Sequence, residues 1–346
     1  MIVLGLKVIW ETFVRPMKLR KGAEDFAMKR SIISLTILLL SLALADTGNA
    51  ESTPVAKRRA VIGVSVLTTN NPFFVEMADA MKDEAAKRGA DIIVTSADLK
   101  VATQKGQVSD FIAKRVSAIV LCPADSEAIG PSIVESHQAG IPVFTADIAA
   151  LAERDKVVCH VATDNLGGGR EAGKAMIEAL GGNGKVAILD HPEVESVIQR
   201  TKGFKEVLDG HNRSGKGRIE IVADLPAYGG TWTAIVVATK LLEDHPDLNG
   251  IFAINDPSAL GAVMALENAK KLGQVRLIGF DAQPKGRQAI KDGKIWGDPV
   301  QYPDKIGQQT IQVVLKHLNG EVVPKTILIP TTFYGKTDAD KDSSLR

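Results

Sequence analysis

Short apolar runs rich in β-branched residues recur along this chain with room for one helix between them, and after residue 164 the series begins again. The first series is 61–67, 92–94, 118–121, 142–144 and 157–161. The second is 186–189, 219–222, 250–253 and 275–279. Helical patterns lie between them near 73–88, 101–115 and 126–139, then near 166–180, 195–209, 231–244, 258–271 and 285–292. Strands that are apolar on both faces and alternate with helices build parallel sheets covered on both sides. The expected fold class is therefore α/β, with two similar three-layer αβα lobes and a boundary near Thr163–Asp164. A cleft between the strand ends of two such lobes is a common ligand site.

The length of 346 residues suits about two domains of this kind. With 42 basic against 41 acidic residues the net charge is +1, which gives no nucleic-acid footprint. Cys122 and Cys159 do not make a disulfide framework; both sit in apolar runs and read as buried free thiols.

Residues 1–50 read as a signal peptide with a long n-region. Lys29–Arg30 precedes an apolar run over 31–45. At about 14 residues this run is shorter than the ~20 that a spanning helix needs. Ala43-Leu44-Ala45 and Gly48-Asn49-Ala50 both offer small residues for cleavage, with the site after Ala50 preferred, and Met17 and Met28 are alternative starts. A retained membrane anchor is the competing reading. No cysteine follows the run, so no lipid anchor is expected, and export to a bacterial periplasm is.

The candidate site begins where the first strand ends. Thr69 to Asn71 can cap the next helix, and Pro72 suits its first turn. Asn71, Phe73 and Phe74 are thereby delivered to a strand's carboxyl end. Polar residues stand at four more strand ends: Asp147, Asn255, Asp281 and Gln301. Carboxylates accept from two hydroxyls at once, and side-chain amides both donate and accept. Arg200 can supply the cation for charge-assisted bonds. Phenyl rings lie well against C–H faces, so the set suits a sugar or polyol. Taken singly, each strand-end residue also fits a cap or turn, Arg200 a surface helix, and the Phe pair a core.

Other chemistries are poorly served. Gly167-Gly168-Gly169 lacks G-x-G-x-x-G spacing and has Asp164 beside it, so a tight helix start is expected there. There is no G-x-S-x-G, no C-x-x-C and no paired-histidine metal motif; His191 and His245 read as loop residues. Neither a cofactor nor a metal nor an enzymatic activity is expected.

The segments 66–74, 163–165, 200–204, 252–256, 278–281 and 301–307 together resemble the periplasmic sugar-binding proteins of ABC importers, of the ribose-binding type, in order over roughly residues 59 to 335. The resemblance implies two lobes joined by a three-strand hinge around a ligand cleft. It assigns 59–163 plus 302–330 to the first lobe and 164–301 plus 331–346 to the second. Hinge strands would lie near 162–165, 300–303 and 330–333. It carries over as sugar contacts Asn71, Phe73, Phe74, Asp147, Arg200, Asn255, Asp281 and Gln301. The second-lobe aromatic that completes the sandwich is displaced here, with Tyr228 nearer in register than Trp232.

Two departures set the expected specificity. Ile148 stands where ribose binders of this family carry arginine, and Cys122 where they carry asparagine. Both losses make one wall more apolar, so D-ribose is not expected to be the preferred ligand. A deoxy-sugar, a hexose with its methylene at this wall, or a linear polyol are the alternatives. The partners implied are the membrane subunits of an ABC permease, or else a chemoreceptor or sensor kinase; an autoinducer-type receptor is a near rival. The same core resembles the effector domain of sugar-responsive repressors, but signal-like sequence occupies the place of their DNA-binding headpiece.

Overall fold

The structure, a computed structural model, describes residues 59–346. The expected signal peptide lies outside the described residues, and among those described no helix is long and apolar enough to cross a membrane.

Strand β1 (Val61–Val66) is buried along almost its whole length, as its unbroken apolar run requires. Helix α1 (Pro72–Lys87) starts where expected. Asn71 is its N-cap, with Oδ1 accepting from the Phe73 amide at 3.0 Å, and Pro72 opens the first turn. The alternation continues through β2 (Asp91–Ser96), α2 (Val101–Ala113), β3 (Ala118–Leu121), α3 (Gly130–Gln138), β4 (Val143–Ala146) and β5 (Val157–Thr163). It begins again with α4 (Asn165–Ala179), β6 (Gly184–Asp190), α5 (Glu195–Arg213), β7 (Ile219–Pro226) and α6 (Thr231–Asp244). Then come β8 (Gly250–Ala253), α7 (Asp256–Asn268), β9 (Arg276–Ile278), α8 (Pro284–Lys291) and β10 (Gly297–Pro299). The chain closes with α9 (Pro303–Leu318), β11 (Thr326–Ile329), β12 (Phe333–Gly335) and α10 (Lys336–Lys341).

These strands form two six-stranded sheets flanked by helices. One has the order β11-β5-β4-β3-β1-β2, and the other β12-β10-β9-β8-β6-β7. The orders are the same when read from β2 and from β7, so β1 corresponds to β6, β3 to β8 and β4 to β9. All pairings are parallel except β10 with β12. Helix α9 and the short strands β11 and β12 were not anticipated from apolar runs. β12 is three residues long and only half buried, too little to leave a periodic signal.

The chain crosses between the sheets three times: from β5 to α4, from β10 to α9, and from β11 to β12. The crossings run side by side and are bonded to each other. The Asp164 amide donates to the Ile329 carbonyl at 2.9 Å, the Val300 amide to the Thr332 carbonyl at 2.7 Å, and Thr163 Oγ1 to Gln301 Oε1 at 2.8 Å. The crossings bind the two sheets at one edge of the space between them.

Gly167–Gly169 lie in the first turns of α4, where Asp164 Oδ1 accepts from the Gly167 amide at 2.9 Å. Their absent side chains serve packing as well. A Cβ on Gly169 would lie 2.1 Å from the Arg200 carbonyl oxygen, and one on Gly203 would lie 2.2 Å from that of Leu166. Helices α4 and α5 therefore approach at backbone distance, which brings Asn165 onto Arg200.

Candidate functional site

The carboxyl ends of both sheets face a cavity of about 40 Å³ between the lobes. The first lobe lines it with Leu67, Asn71, Phe73, Phe74, Asp147 and Ile148. The second contributes His191, Val194, Ser196, Val197, Arg200, Ile254, Asn255 and Asp281, and the crossing strand contributes Gln301.

Each polar side chain is held by the element that delivers it. Asn71 spends Oδ1 on the α1 cap, so Nδ2 is the end left to serve a ligand. Asn255 caps α7 in the same way, with Oδ1 accepting from the Ser258 amide at 2.9 Å, and its Nδ2 donates to the Gly229 carbonyl at 3.0 Å. Phe73 and Phe74 meet edge to face with centroids 5.1 Å apart. Pairs of this kind hold each other's orientation as well as burying area.

Arg200 is the fixed centre. Its Nε donates to Asn165 Oδ1 at 2.8 Å and its Nη1 to the Ile254 carbonyl at 2.7 Å. Nη1 also lies 3.5 Å from Asp281 Oδ1, and the guanidinium stacks 3.9 Å over the Phe280 ring. With Nε and Nη1 committed, Nη2 is the edge left for a ligand. Gln301 is held at both ends, accepting from Thr163 Oγ1 and donating from Nε2 to Asp281 Oδ1 at 2.7 Å.

Asp147 is different. It is buried, yet its Oδ1 has no hydrogen-bond partner. Burial pushes its carboxyl up to about 7, against the pull of Arg200 and with the push of Asp281. Burial also raises Asp281 to about 6, opposed by Arg200 and the Gln301 bond. Asp281 has donors in Gln301 and Arg200, but the buried Asp147 Oδ1 has none within the protein, and a ligand hydroxyl is a donor of the right kind. Among the described residues, no group of three or more His, Cys, Asp or Glu is disposed to hold a metal ion.

The lobes meet over this cavity. In the loop after β3, the buried Ser126 donates its amide to the Glu193 carbonyl at 2.9 Å, and its Oγ accepts from the Glu195 amide at 2.9 Å.

Residues 62–322 match the periplasmic binding protein domain. The chain belongs to that family. Its members are binding proteins and not enzymes, and the two largely parallel six-stranded sheets are their type I fold. The ribose import binding protein of Salmonella typhimurium is 34% identical over 290 residues, covering 84% of this chain and 94% of that one. An ABC transporter solute-binding protein from Actinobacillus succinogenes, solved with D-allose, is 32% identical with a TM-score of 0.74, covering 82% of this chain and 100% of that one. One from Bacillus halodurans, solved with myo-inositol, is 28% identical with a TM-score of 0.75, covering 82% and 96%.

In this periplasmic binding protein, two residues singled out from sequence do not line the cavity. Cys122 is fully buried behind it, with its amide bonded to the Ser65 carbonyl and its own carbonyl to Gln104 Nε2. Burial, then the Asp147 charge, pushes its thiol well above the ordinary range. The departure from the family pattern at the wall is therefore Ile148's alone. Tyr228 is 45% exposed and lies outside, its ring edge to face with His191 at 5.8 Å. Trp232 is 75% exposed and does not line the cavity either.

Sequence reasoning missed Leu67, His191, Val194, Ser196, Val197 and Ile254. His191 directly follows β6 as Leu67 directly follows β1, and both line the cavity. The valines and Ser196 carry no such signal, because they open α5 on a face that reads as ordinary helix core.

Proposed function

We infer that this protein captures a monosaccharide or related polyol between its lobes and delivers it to the membrane subunits of an ABC importer. The observation that carries the reading is Asp147, a buried carboxylate with an unpartnered oxygen in a cavity closed by both lobes. Asp281, Arg200, Asn71, Asn255 and Gln301 supply the remaining polar bonds, and Phe73 and Phe74 supply the face for C–H groups. The ligands named for its relatives, ribose, D-allose and myo-inositol, are all polyhydroxylated rings, which supports the same class here. Capture and release occur in the periplasm, after removal of the signal segment.

The preferred ligand is not D-ribose. Ile148, Val194 and Val197 line the cavity without offering a single hydrogen bond. A hydroxyl directed at such a wall loses its water and gains no partner, so a ligand with a methyl or methylene there is favoured. The test is a native purification followed by mass spectrometry of the retained small molecule, then a thermal-shift panel of pentoses, hexoses, deoxy-sugars and polyols. A retained sugar or polyol with a matching shift supports the reading. Ribose as the tightest ligand would overturn the specificity claim, and binding of none of the panel would overturn the sugar class.

A further inference from the structure

Directly beneath Asp281 lies a second pair of acids that takes no part in lining the cavity. Asp256 opens α7 and Asp298 is the middle residue of β10; both are buried, Asp298 completely. Each is seated against a glycine with no space to spare. A Cβ on Gly286 would lie 2.0 Å from Asp256 Oδ1, and one on Gly279 would lie 2.4 Å from Asp298 Oδ1. Asp256 Oδ2 accepts from the Gln283 amide at 2.6 Å. Asp256 Oδ1 and both oxygens of Asp298 have no hydrogen-bond partner, although the two carboxyl groups adjoin each other. Ionised carboxylates only accept. The three unpartnered oxygens of these adjoining groups lack a donor, and the one donor that the pair can supply itself is a proton.

We propose that Asp256 and Asp298 share one proton, and that this bridged pair is the positioning device that holds Asp281 at the cavity. The segment it supports is the turn after β9. Asp281 and Ala282 have φ of 103° and 53°, in the left-handed region that non-glycine residues enter only under constraint. The constraint comes from both acids' elements. The Gln283 amide is fixed by Asp256. The Asp281 amide donates to the Pro299 carbonyl at 3.0 Å, and the Gln301 amide donates to the Asp281 carbonyl at 3.0 Å, both just after Asp298 in the chain. Burial raises the proton affinity of both members, Asp256 well above the carboxylate range and Asp298 to about 7. The charge of Asp281 pushes each in the same direction. The Gln283 amide bonded to Asp256 opposes it, as do the nearby amides of Gly279 and Ala282, which do not reach hydrogen-bonding geometry on Asp298. Arg287 stands at the same turn, its Nε donating to the Ala282 carbonyl at 2.7 Å, but among the described residues neither acid of the pair forms an ion pair. Loss of the proton leaves adjacent buried like charges with Asp281 as a third, and the turn loses its support.

The assignment of Asp281 as a ligand contact rests on the function proposed above; the shared proton does not, and the test separates them. Asp298→Asn puts a permanent N–H donor where the proton stands. Full-length wild type and D298N are melted without ligand across about pH 6 to 9.5. Affinities for D-ribose, D-allose and myo-inositol are measured over the same range. For wild type, above about pH 7, where Asp147 is already ionised, the melting temperature falls as the shared proton is lost, and affinity falls by up to about tenfold per pH unit, the limit for one proton. D298N escapes both losses, so its advantage grows with pH. Parallel wild-type and D298N melting profiles would overturn the shared proton. D256N carries the same test should D298N not fold. Failure of all three probes to bind would count against the sugar reading alone, because the ligand-free profiles still decide the proton.

Discussion

Asp147 and Asp281 occupy the same position in the two lobes. Each follows the fourth strand of its sheet, β4 or β9, counted from the β2 or β7 edge. Each has a positive φ, 64° and 103°, and each is buried at one cavity with Arg200 acting on both. A left-handed non-glycine residue costs about 1–3 kcal/mol where the fold must impose it. Two lobes that accept this at equivalent positions, in order to aim acids at one point, form a clamp with an acid in each jaw. Their partners differ. Asp281 is bonded to Gln301, whereas Asp147 Oδ1 has no partner within the protein.

Replacing either acid by alanine should weaken sugar binding by roughly 2–4 kcal/mol, since ligand hydroxyls and Arg200 lose a desolvated partner. The two should diverge in the ligand-free protein. Asp147→Asn removes a charge that burial opposes and leaves no bonded partner stranded, so its melting temperature holds or rises. Asp281→Ala strands Gln301 Nε2 and should lower it. Titration calorimetry and melting of both variants check this, and unchanged affinity in both would place the ligand elsewhere.

The raised carboxyl of Asp147 sets a pH dependence. Its folded value of about 7 lies above the ordinary 3.8, so the ligand-free fold holds a proton that the unfolded chain releases. Stability from that proton is full below the ordinary value and is lost as pH rises through about 7. A ligand hydroxyl bonds best to the ionised form, so affinity should strengthen across the same interval and binding should release protons near pH 6.5, up to about one per ligand. Calorimetry at that pH in buffers of different ionisation enthalpy reads the release directly. Identical heats in all buffers would refute the linkage.

The parts of this fold legible in the sequence are those that repeat. Nine strand-like runs and eight helical patterns foretold two parallel sheets because each run is buried on both faces. The acids and amides at strand ends were visible because a polar residue directly after a buried strand has few other reasons to be there. The sequence hides whatever depends on tertiary approach. Val194 and Val197 become a cavity wall only when the lobes meet, and Cys122 falls behind the cavity although its counterpart directly after β8, Ile254, lines it. The Asp256–Asp298 contact joins residues 42 positions apart, and neither acid belongs to a pattern that marks it as buried.

Packing of α4 on α5 is what holds Arg200, and Gly169→Ala tests it. The added methyl would sit 2.1 Å from the Arg200 carbonyl oxygen, a backbone atom that cannot swing aside. The helices must separate, at a cost of about 1–3 kcal/mol in stability. Asn165 would draw away from the guanidinium as they do. Affinity should fall together with the melting temperature, whereas Gly106→Ala, on α2 with nothing near its added methyl, should leave affinity unchanged. Undisturbed affinity in G169A would mean that Asn165 and the helix contact do not position Arg200.

Closure has its own residue. Val194, the N-cap of α5, offers no side-chain bond, and the first amide of the helix, Glu195's, is satisfied from the opposite lobe by Ser126 Oγ. The next turn carries Ser196, Val197 and Arg200 into the cavity, so the bond between the lobes also fixes the helix that lines the cavity. Ser126→Ala removes this cap and keeps the amide bond to Glu193. Loss of a capping side chain typically costs about 0.5–2 kcal/mol. Here the loss applies only to the closed state, because the donor and acceptor belong to different lobes. The change should appear as faster ligand release with little effect on the association rate or on ligand-free melting. Stopped-flow kinetics on S126A check it: an unchanged release rate would show that the contact accompanies closure without stabilising it.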